Sequence, residues 1–423
     1  MMNTSKNLDR HPCFNKKASG SCGRVHLPVA PRCNIRCNYC NRKYDCVNES
    51  RPGVASAVLT PPRALDYMRE VLEREPRISV AGIAGPGDPM ANPEQTLTTM
   101  RLLKEHYPEL IFCLSTNGLG LPAHLDELAE VGVTHVTVTI NAVDPKIGAR
   151  IYSFVRDGNV LYRGEMAAEL LLHRQMEALR GLKRRGIIVK VNTIVLPGIN
   201  DRHATSVASA VSKLGADLMN MIPVHPTADT PFASMPQPRR EQVRELRSKA
   251  GEFVPQMTHC RRCRADAVGM LCKDLSGEMS GVLKKISRAE SELEKQRPYV
   301  AVATREGMLV NRHLGEADKL QIFAKTPEGY KMIEERRTPA AGCGPSRWEK
   351  LAAALWDCRA VLAEALGETP RKILMDKGIA PVEAAGFIEQ ALDVVYSGGD
   401  TAVLRGRRGG VSGGCNRTGN GCG

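Results

Sequence analysis

Six short apolar runs, at 24–30, 78–84, 111–115, 133–140, 187–196 and 217–222, constrain this chain's fold more than any other feature. Segments with helical periodicity lie between them. Thr60-Pro61-Pro62 begins one, with a capping hydroxyl and proline in the first turn, and Leu65, Met68, Val71 and Leu72 mark its apolar face. Others cover about 165–185, 201–214 and 239–252. Strands alternating with helices imply βαβ units and a parallel sheet. Six units of this kind predict an α/β fold, a partial (β/α)6 barrel related to the eight-fold barrel. Function in such folds gathers at the C-terminal ends of the strands. A cysteine loop, Gly85-Pro86-Gly87-Asp88, Thr116-Asn117 and Asn141 all stand there.

The cysteine loop is Cys33-Asn34-Ile35-Arg36-Cys37-Asn38-Tyr39-Cys40. Three thiolates on so tight a loop can grip one face of a cubic iron–sulfur cluster and leave the fourth iron open. Soft thiolates select such clusters or zinc, and a closed zinc site wants four ligands, usually in two pairs. A redox or zinc loop stays open as a reading of the residues alone. The C-x3-C-x2-C pattern resembles the signature of the radical S-adenosylmethionine (SAM) enzymes. In that family the open iron chelates the amino and carboxylate groups of SAM.

Composition narrows the remaining classes. The sequence has 42% apolar residues, enough for a full core, with no apolar run of membrane length. Met1 to Arg10 is polar and lacks the apolar segment of an export signal. Fourteen cysteines in that context argue for metal ligation rather than disulfides, and for a reduced, cytoplasmic setting. The net charge of +13 comes without aromatic interleaving or basic blocks, which argues against nucleic-acid binding. Solvated helix faces carry most of it, and an anionic substrate fits the rest.

Residues 1–23 read as an irregular arm and 24–275 as the barrel with its ligand-bearing extensions. Residues 276–297 read as a charged helical linker. A second α/β unit of about 298–400 follows, with strands at 299–304, 320–324 and 360–364, a helix near 346–356 and another from about 381. The tail, 401–423, is glycine-rich and expected to be disordered. Outside the cysteine loop, Cys260 and Cys263 form a C-x2-C half-site that needs partners. Cys13, Cys22, Cys46, Cys113, Cys272 and His26 are the groups available. By themselves Cys113 reads equally as a small buried hydrophobe and His26 as a core histidine.

HPCF, VAPRCNIRCNYCNRKYDCVNESRPG, GPGDPMANP, LSTNGL, VTVTINA and HCRRCRADAVG together resemble the NifB family of nitrogenase cofactor maturases, over residues 11–275. The unit from 298 to 400, with Asn311-Arg312-His313-Leu314-Gly315 and Cys343-Gly344-Pro345, is similar to the NifX-type domain, a ribonuclease-H-like fold linked to cofactor-precursor binding. The resemblance implies a lyase-type radical SAM enzyme of nitrogen fixation, combining methyl transfer with 5′-deoxyadenosyl radical chemistry. Such an enzyme fuses two [4Fe-4S] clusters around a SAM-derived carbide, adds a sulfur, and yields the eight-iron precursor of the FeMo cofactor.

Carried over by motif, Cys33, Cys37 and Cys40 hold the SAM cluster. His26, Cys46 and Cys113 hold one substrate cluster, and Cys13, Cys260 and Cys263 the other. Tyr39, Gly85, Gly87, Asp88, Thr116, Thr139, Asn141 and Asn192 are expected around SAM. Glu49 and Arg51 are expected to relay protons. Cys22 and Cys272 lie outside the family pattern and are candidate extra ligands for the second cluster. No role follows for Cys343, Cys358, Cys415 or Cys422. The implied partners are iron–sulfur donors, a ferredoxin- or flavodoxin-type electron donor and a downstream cofactor carrier, with no nucleic acid and no membrane. Two alternatives remain open: another radical SAM maturase with auxiliary clusters, or a non-catalytic iron–sulfur scaffold.

Overall fold

The computed structural model describes residues 9–48, 54, 55, 57–340, 342 and 344–405. Glu49, Arg51, Cys343, Cys415 and Cys422 lie outside the described residues. The chain divides into two compact units, 1–287 and 288–423.

In the first unit, β1 (Gly23–His26) leads into the cysteine loop, part of which is itself a strand, β2 (Ile35–Cys37). Helix α1 (Pro61–Arg74) follows, then β3 (Ile78–Ile83), α2 (Pro93–His106), β4 (Ile111–Thr116), α3 (Leu125–Glu130) and β5 (Val133–Thr139). Next come α4 (Pro145–Ile151), the hairpin β6 (Tyr152–Asp157) and β7 (Val160–Tyr162), and α5 (Gly164–Arg184). The unit continues through β8 (Ile188–Val195), α6 (Ala204–Lys213), β9 (Leu218–Pro223), α7 (Arg240–Gly251), β10 (Val268–Gly269) and α8 (Ser276–Arg288). The main sheet runs β10-β1-β3-β4-β5-β8-β9. Its six sequential strands are parallel and curl into a partial barrel, and β10 closes one edge antiparallel to β1.

The buried faces explain the elements. In α1, Leu65, Met68 and Val71 are buried as the periodicity requires, and Leu72 is half-buried. Thr60 precedes this helix in extended conformation but makes no side-chain cap bond. Every residue of β3 and β8 is buried, as expected for parallel strands covered on both faces.

Two differences from the sequence reading stand out here. The stretch 33–40 is not all loop: Ile35 pairs with Val155 and Cys37 with Tyr152, so β2, β6 and β7 form a small antiparallel sheet. The apolar contact of buried Ile35 and Val155 outweighs the turn-forming asparagines around it. The β6–β7 hairpin carries little apolar alternation and left no clear trace in the sequence.

The second unit begins with the short helix α9 (Glu292–Gln296), fixed by a reciprocal capping box between Ser291 and Glu294. Its strands are β11 (Tyr299–Val302), β12 (Leu309–Val310), β13 (Lys319–Thr326) and β14 (Gly329–Arg337), then, after helix α10 (Pro345–Ala354), β15 (Cys358–Ala363). After α11 (Glu368–Asp376) come β16 (Ala380–Glu383), β17 (Gly386–Phe387) and α12 (Ile388–Ser397). The sheet order is β14-β13-β11-β15-β16. The helix expected from about 381 starts instead at Ile388, because 380–383 is an edge strand parallel to β15. Pro381 is tolerated there, since an edge strand can lack a donor.

Candidate iron–sulfur and SAM site

The cysteine loop is strapped to the turn after β3. Gly87 N donates to Ala30 O at 2.6 Å and Asp88 N to Arg32 O at 2.7 Å. A Cβ on Gly87 would lie 2.1 Å from Arg32 O, so only glycine lets these two backbones meet. Gly85 O accepts from Ala30 N at 3.2 Å. Arg42 Nη2 donates to Pro31 O at 2.5 Å and its Nη1 to Pro86 O at 3.3 Å, clamping both sides. Asp88 is buried and accepts from Thr116 Oγ1, Asn117 N (2.6 Å) and Met90 N (2.9 Å). Burial raises its pKa, and these donors oppose the rise. Asp88 and Thr116 are thus engaged with each other, locking the end of β4 to the turn.

Cys37 and Cys40 are buried and Cys33 is half-buried. Burial first, then the Asp88 carboxylate, pushes the Cys33 thiol up to about 12. Burial raises the Cys37 thiol well above its ordinary value, with Cys40 and Cys33 adding to the rise, and Cys33 packs against the apolar cluster that holds Cys37 and Cys40. Asn117 Nδ2 reaches Cys33 Sγ at 3.9 Å while also donating to Asn34 Oδ1 at 2.7 Å. Cys46 Sγ belongs to the same neighbourhood. Burial raises its pKa most, then Cys40, Cys33 and Cys37.

Tyr39 is fully buried, and its hydroxyl donates to Asn48 Oδ1 and accepts from Asn141 Nδ2, both at 2.7 Å. Asn141 Oδ1 accepts from Ile194 N at 2.8 Å, so this side chain braces β5, β8 and the loop together. Asn192 Nδ2 donates to Asn48 O at 3.2 Å. Thr139 Oγ1, at the C-terminal end of β5, is buried without a protein partner. The residues therefore fit the family's resident group. Three soft, neighbouring thiols, two of them buried, suit an iron–sulfur cluster, and an orphaned hydroxyl at the strand ends suits a polar ligand such as SAM.

A cavity opens inside the barrel. Five of the six residues expected to bind substrate clusters line it: His26 from β1, Cys113 from β4, Cys13 from the N-terminal arm, and Cys260 and Cys263 from the segment before β10. Cys46 is not among the lining residues, and neither are Cys22 and Cys272. His26 and Cys113 flank Gly82, each within reach of the place where its Cβ would be. His26 Nδ1 lies 2.9 Å from Arg264 O, which fixes Nδ1 as the donor and leaves Nε2 as a bare acceptor. Metal-ligating histidines carry such a bond on the ring nitrogen turned away from the metal. Burial lowers the His26 pKa to about 4. The Cys13 thiol is raised to about 12 by burial, with Lys190, Cys263, Arg24 and Cys260 as its charged neighbours. Arg24 Nη2 donates to Cys263 Sγ at 3.2 Å, and its Nη1 donates to Gly269 O at 2.5 Å. Among the described residues, no three His, Cys, Asp or Glu side chains crowd closely enough to hold a single ion.

Several lining residues are absent from the sequence reading: His11, Arg24, Ser115, Thr137, Lys190 and Asn220. The signal that would have found them is a period of two inside buried strands. Cys113 and Ser115, His135, Thr137 and Thr139, and Lys190 and Asn192 alternate with apolar residues, although these strands are covered on both faces. The sequence places Asn117 at a strand end, and its bond to Cys33 is visible only in three dimensions.

Comparison with known proteins fits this geometry. A family model described as the radical SAM superfamily matches residues 27–210, and one described as dinitrogenase iron-molybdenum cofactor matches 296–398. The chain is 49% identical to the FeMo cofactor biosynthesis protein NifB of Chlorobaculum tepidum, over 93% of each chain. It is 41% identical to the NifB of Klebsiella pneumoniae, over 88% of this chain and 86% of that one. It is 38% identical to the NifB of Azotobacter vinelandii, over 93% and 89% respectively. With a barrel of this topology, the three-thiol loop at its mouth and relatives matched along nearly their whole length, this chain belongs to the NifB family and is a radical SAM protein.

Proposed function

We propose that this chain serves FeMo cofactor biosynthesis by making the eight-iron precursor, joining two [4Fe-4S] substrate clusters through a SAM-derived carbide and one added sulfur. The observation that supports this reading is the cavity, where His26, Cys113, Cys13, Cys260 and Cys263 arrive from separate segments. Three protein ligands per substrate cluster, with an imidazole in one of the two sets, make each cluster easier to release than four thiolates would. Imidazole also binds iron without adding negative charge.

When bound, the resident cluster and SAM supply one electron, a methyl group and a 5′-deoxyadenosyl radical. Cys33, Cys37 and Cys40 hold that cluster, and Asn117 orients Cys33 through its bond to the sulfur. Tyr39, Asn141 and Asn192 brace the strand ends where SAM would be held, and the Thr139 hydroxyl is a buried group left over that could bind it. His26 presents its Nε2 to one substrate cluster, and Cys46, placed beside the cysteine loop, presents its sulfur from the SAM side. Glu49 and Arg51, next to Cys46 in the sequence, carry protons away as the methyl group loses hydrogen. Burial of Tyr39, Thr139, Asn141 and Asn192 would exclude water from the radical step. The second unit binds the finished precursor before handing it to a carrier.

The reading requires iron–sulfur donor proteins, a ferredoxin- or flavodoxin-type reductant and a reduced, cytoplasmic setting. Among the described residues, no helix is long and apolar enough to cross a membrane. Anaerobic incubation with reductant and methyl-labelled SAM tests it. Label is expected in a protein-bound metal cluster, and label that remains only in small molecules refutes the carbide step.

A further inference from the structure

Two histidines line the barrel cavity, and their partners hold them in opposite tautomers. The Nδ1 of His26 faces a carbonyl oxygen, which can only accept. The Nδ1 of His11 receives the backbone N–H of Cys13 at 3.2 Å, which can only donate. His11 Nδ1 is therefore bare, and in the neutral ring the proton sits on Nε2. His11 is only 1% exposed, and its Nε2 has no partner in the protein. The rings of Phe14 and His135, at 4.6 and 4.5 Å between centroids, fix its plane. A buried donor left unpaired is destabilising, and such groups call for an explanation.

We propose that His11 is a positioning residue for a substrate cluster: its Nε2–H donates to a sulfur of the cluster held by Cys13, Cys260 and Cys263, and it does not ligate iron. This rests on reading the cavity as the site of the substrate clusters. Arg24, already bonded to Cys263 Sγ, is a second donor to the same sulfur set. Hydrogen bonds to cluster sulfurs favour the more negative, reduced state and raise the reduction potential.

The test uses the full chain, reconstituted anaerobically with iron and sulfide. His11→Asn keeps a short acceptor for the Cys13 N–H but has no donor at the reach of Nε2. His11→Gln keeps an amide N–H near that reach but gives up the acceptor. The readout is the midpoint potential of the cluster that a Cys260→Ser/Cys263→Ser chain lacks, followed by redox titration with electron paramagnetic resonance. His11→Asn is expected to lower the potential by a tenfold shift in the redox ratio or more, about 59 mV for one electron. His11→Gln is expected to stay near the parent value, and both are expected to keep the parent's iron content. Any other pattern of potentials overturns the proposal, and loss of about four irons in His11→Asn would make His11 a ligand instead. If the Cys260→Ser/Cys263→Ser chain loses no cluster, the reading of the cavity itself fails, whatever His11 does.

Discussion

His26 and Cys113 face each other across Gly82. A Cβ at that position would stand 3.0 Å from Cys113 Sγ and 3.3 Å from His26 Cδ2. The cross-strand register places all three residues in one row, His26 beside Gly82 and Gly82 beside Cys113. The missing side chain is therefore the space in which both side chains converge. Gly82→Val should lower bound iron by about four of about twelve per chain after full reconstitution. Gly82→Ala, which demands a smaller shift, should lower it less. Iron analysis checks both, with 5′-deoxyadenosine formation as the control that the SAM site survives.

Removing the ligands themselves gives a sharper separation. His26→Ala and Cys113→Ala should each abolish product cluster while SAM cleavage to 5′-deoxyadenosine persists. Loss of cleavage as well would remove both residues from the substrate-cluster set. Cys33→Ala, in contrast, should abolish cleavage outright.

Asn117 touches no expected iron, yet it donates to Cys33 Sγ and to Asn34. Outer partners of metal ligands are commonly worth 10- to 100-fold in affinity or activity. Asn117→Ala should therefore slow SAM cleavage by about 10-fold or more, at unchanged content of the two substrate clusters.

Chelation offers a test that needs no substitution. If the reading of the cavity holds, removal of iron leaves buried sulfur and polar groups in the barrel without partners, which is destabilising. Amides of β1, β4 and β5 should exchange faster in the iron-free chain, and those of β11 and β15 should not change. Equal loss of protection in both groups would contradict this.

In the second unit, Arg336 grips Asp357 with two bonds, Nη1 to Oδ1 at 2.6 Å and Nη2 to Oδ2 at 2.8 Å. Arg336 holds the Asp357 pKa below its ordinary value, against a smaller effect of burial. A depressed carboxylate stabilises the fold above its unfolded pKa, and this contribution fades as pH falls through the folded value. Protection of β15 should drop in acid, below about pH 4. Asp357→Asn should cost about 1.5–3 kcal/mol at neutral pH and flatten that acid dependence, as read by hydrogen exchange.

What the sequence made legible follows from how local each signal is. The six parallel strands are short apolar runs with breakers at their ends, and each lies within a residue or a few of its expected place. The three-thiol loop needs only its own spacing to be seen. The β2 strand inside that loop depends on Val155, far along the chain, so no local pattern announces it. Asp88 and Thr116 illustrate the other limit. A carboxylate after a glycine turn suggests a ligand, but the fold aims Asp88 at Thr116 and Asn117. Lys190 lies in a strand whose residues are all buried, and its place in the cavity becomes clear only when Phe14 is seen beneath its ammonium, 5.0 Å from the ring centre. His11 is legible only through its partner, because a tautomer is set by contact and leaves no mark in composition.

The row of sulfur, imidazole, hydroxyl and ammonium groups inside the barrel has one more consequence. Most barrels of this kind are plugged by interlocking aliphatic side chains. On the proposed reading the centre is given over to the freight, so metal passing through serves for a time as filling. Once the freight departs, the sulfur and polar groups of the lining are left facing the gap, and solvent would take its place. Handing over the finished cluster and readmitting iron then become two halves of one cycle.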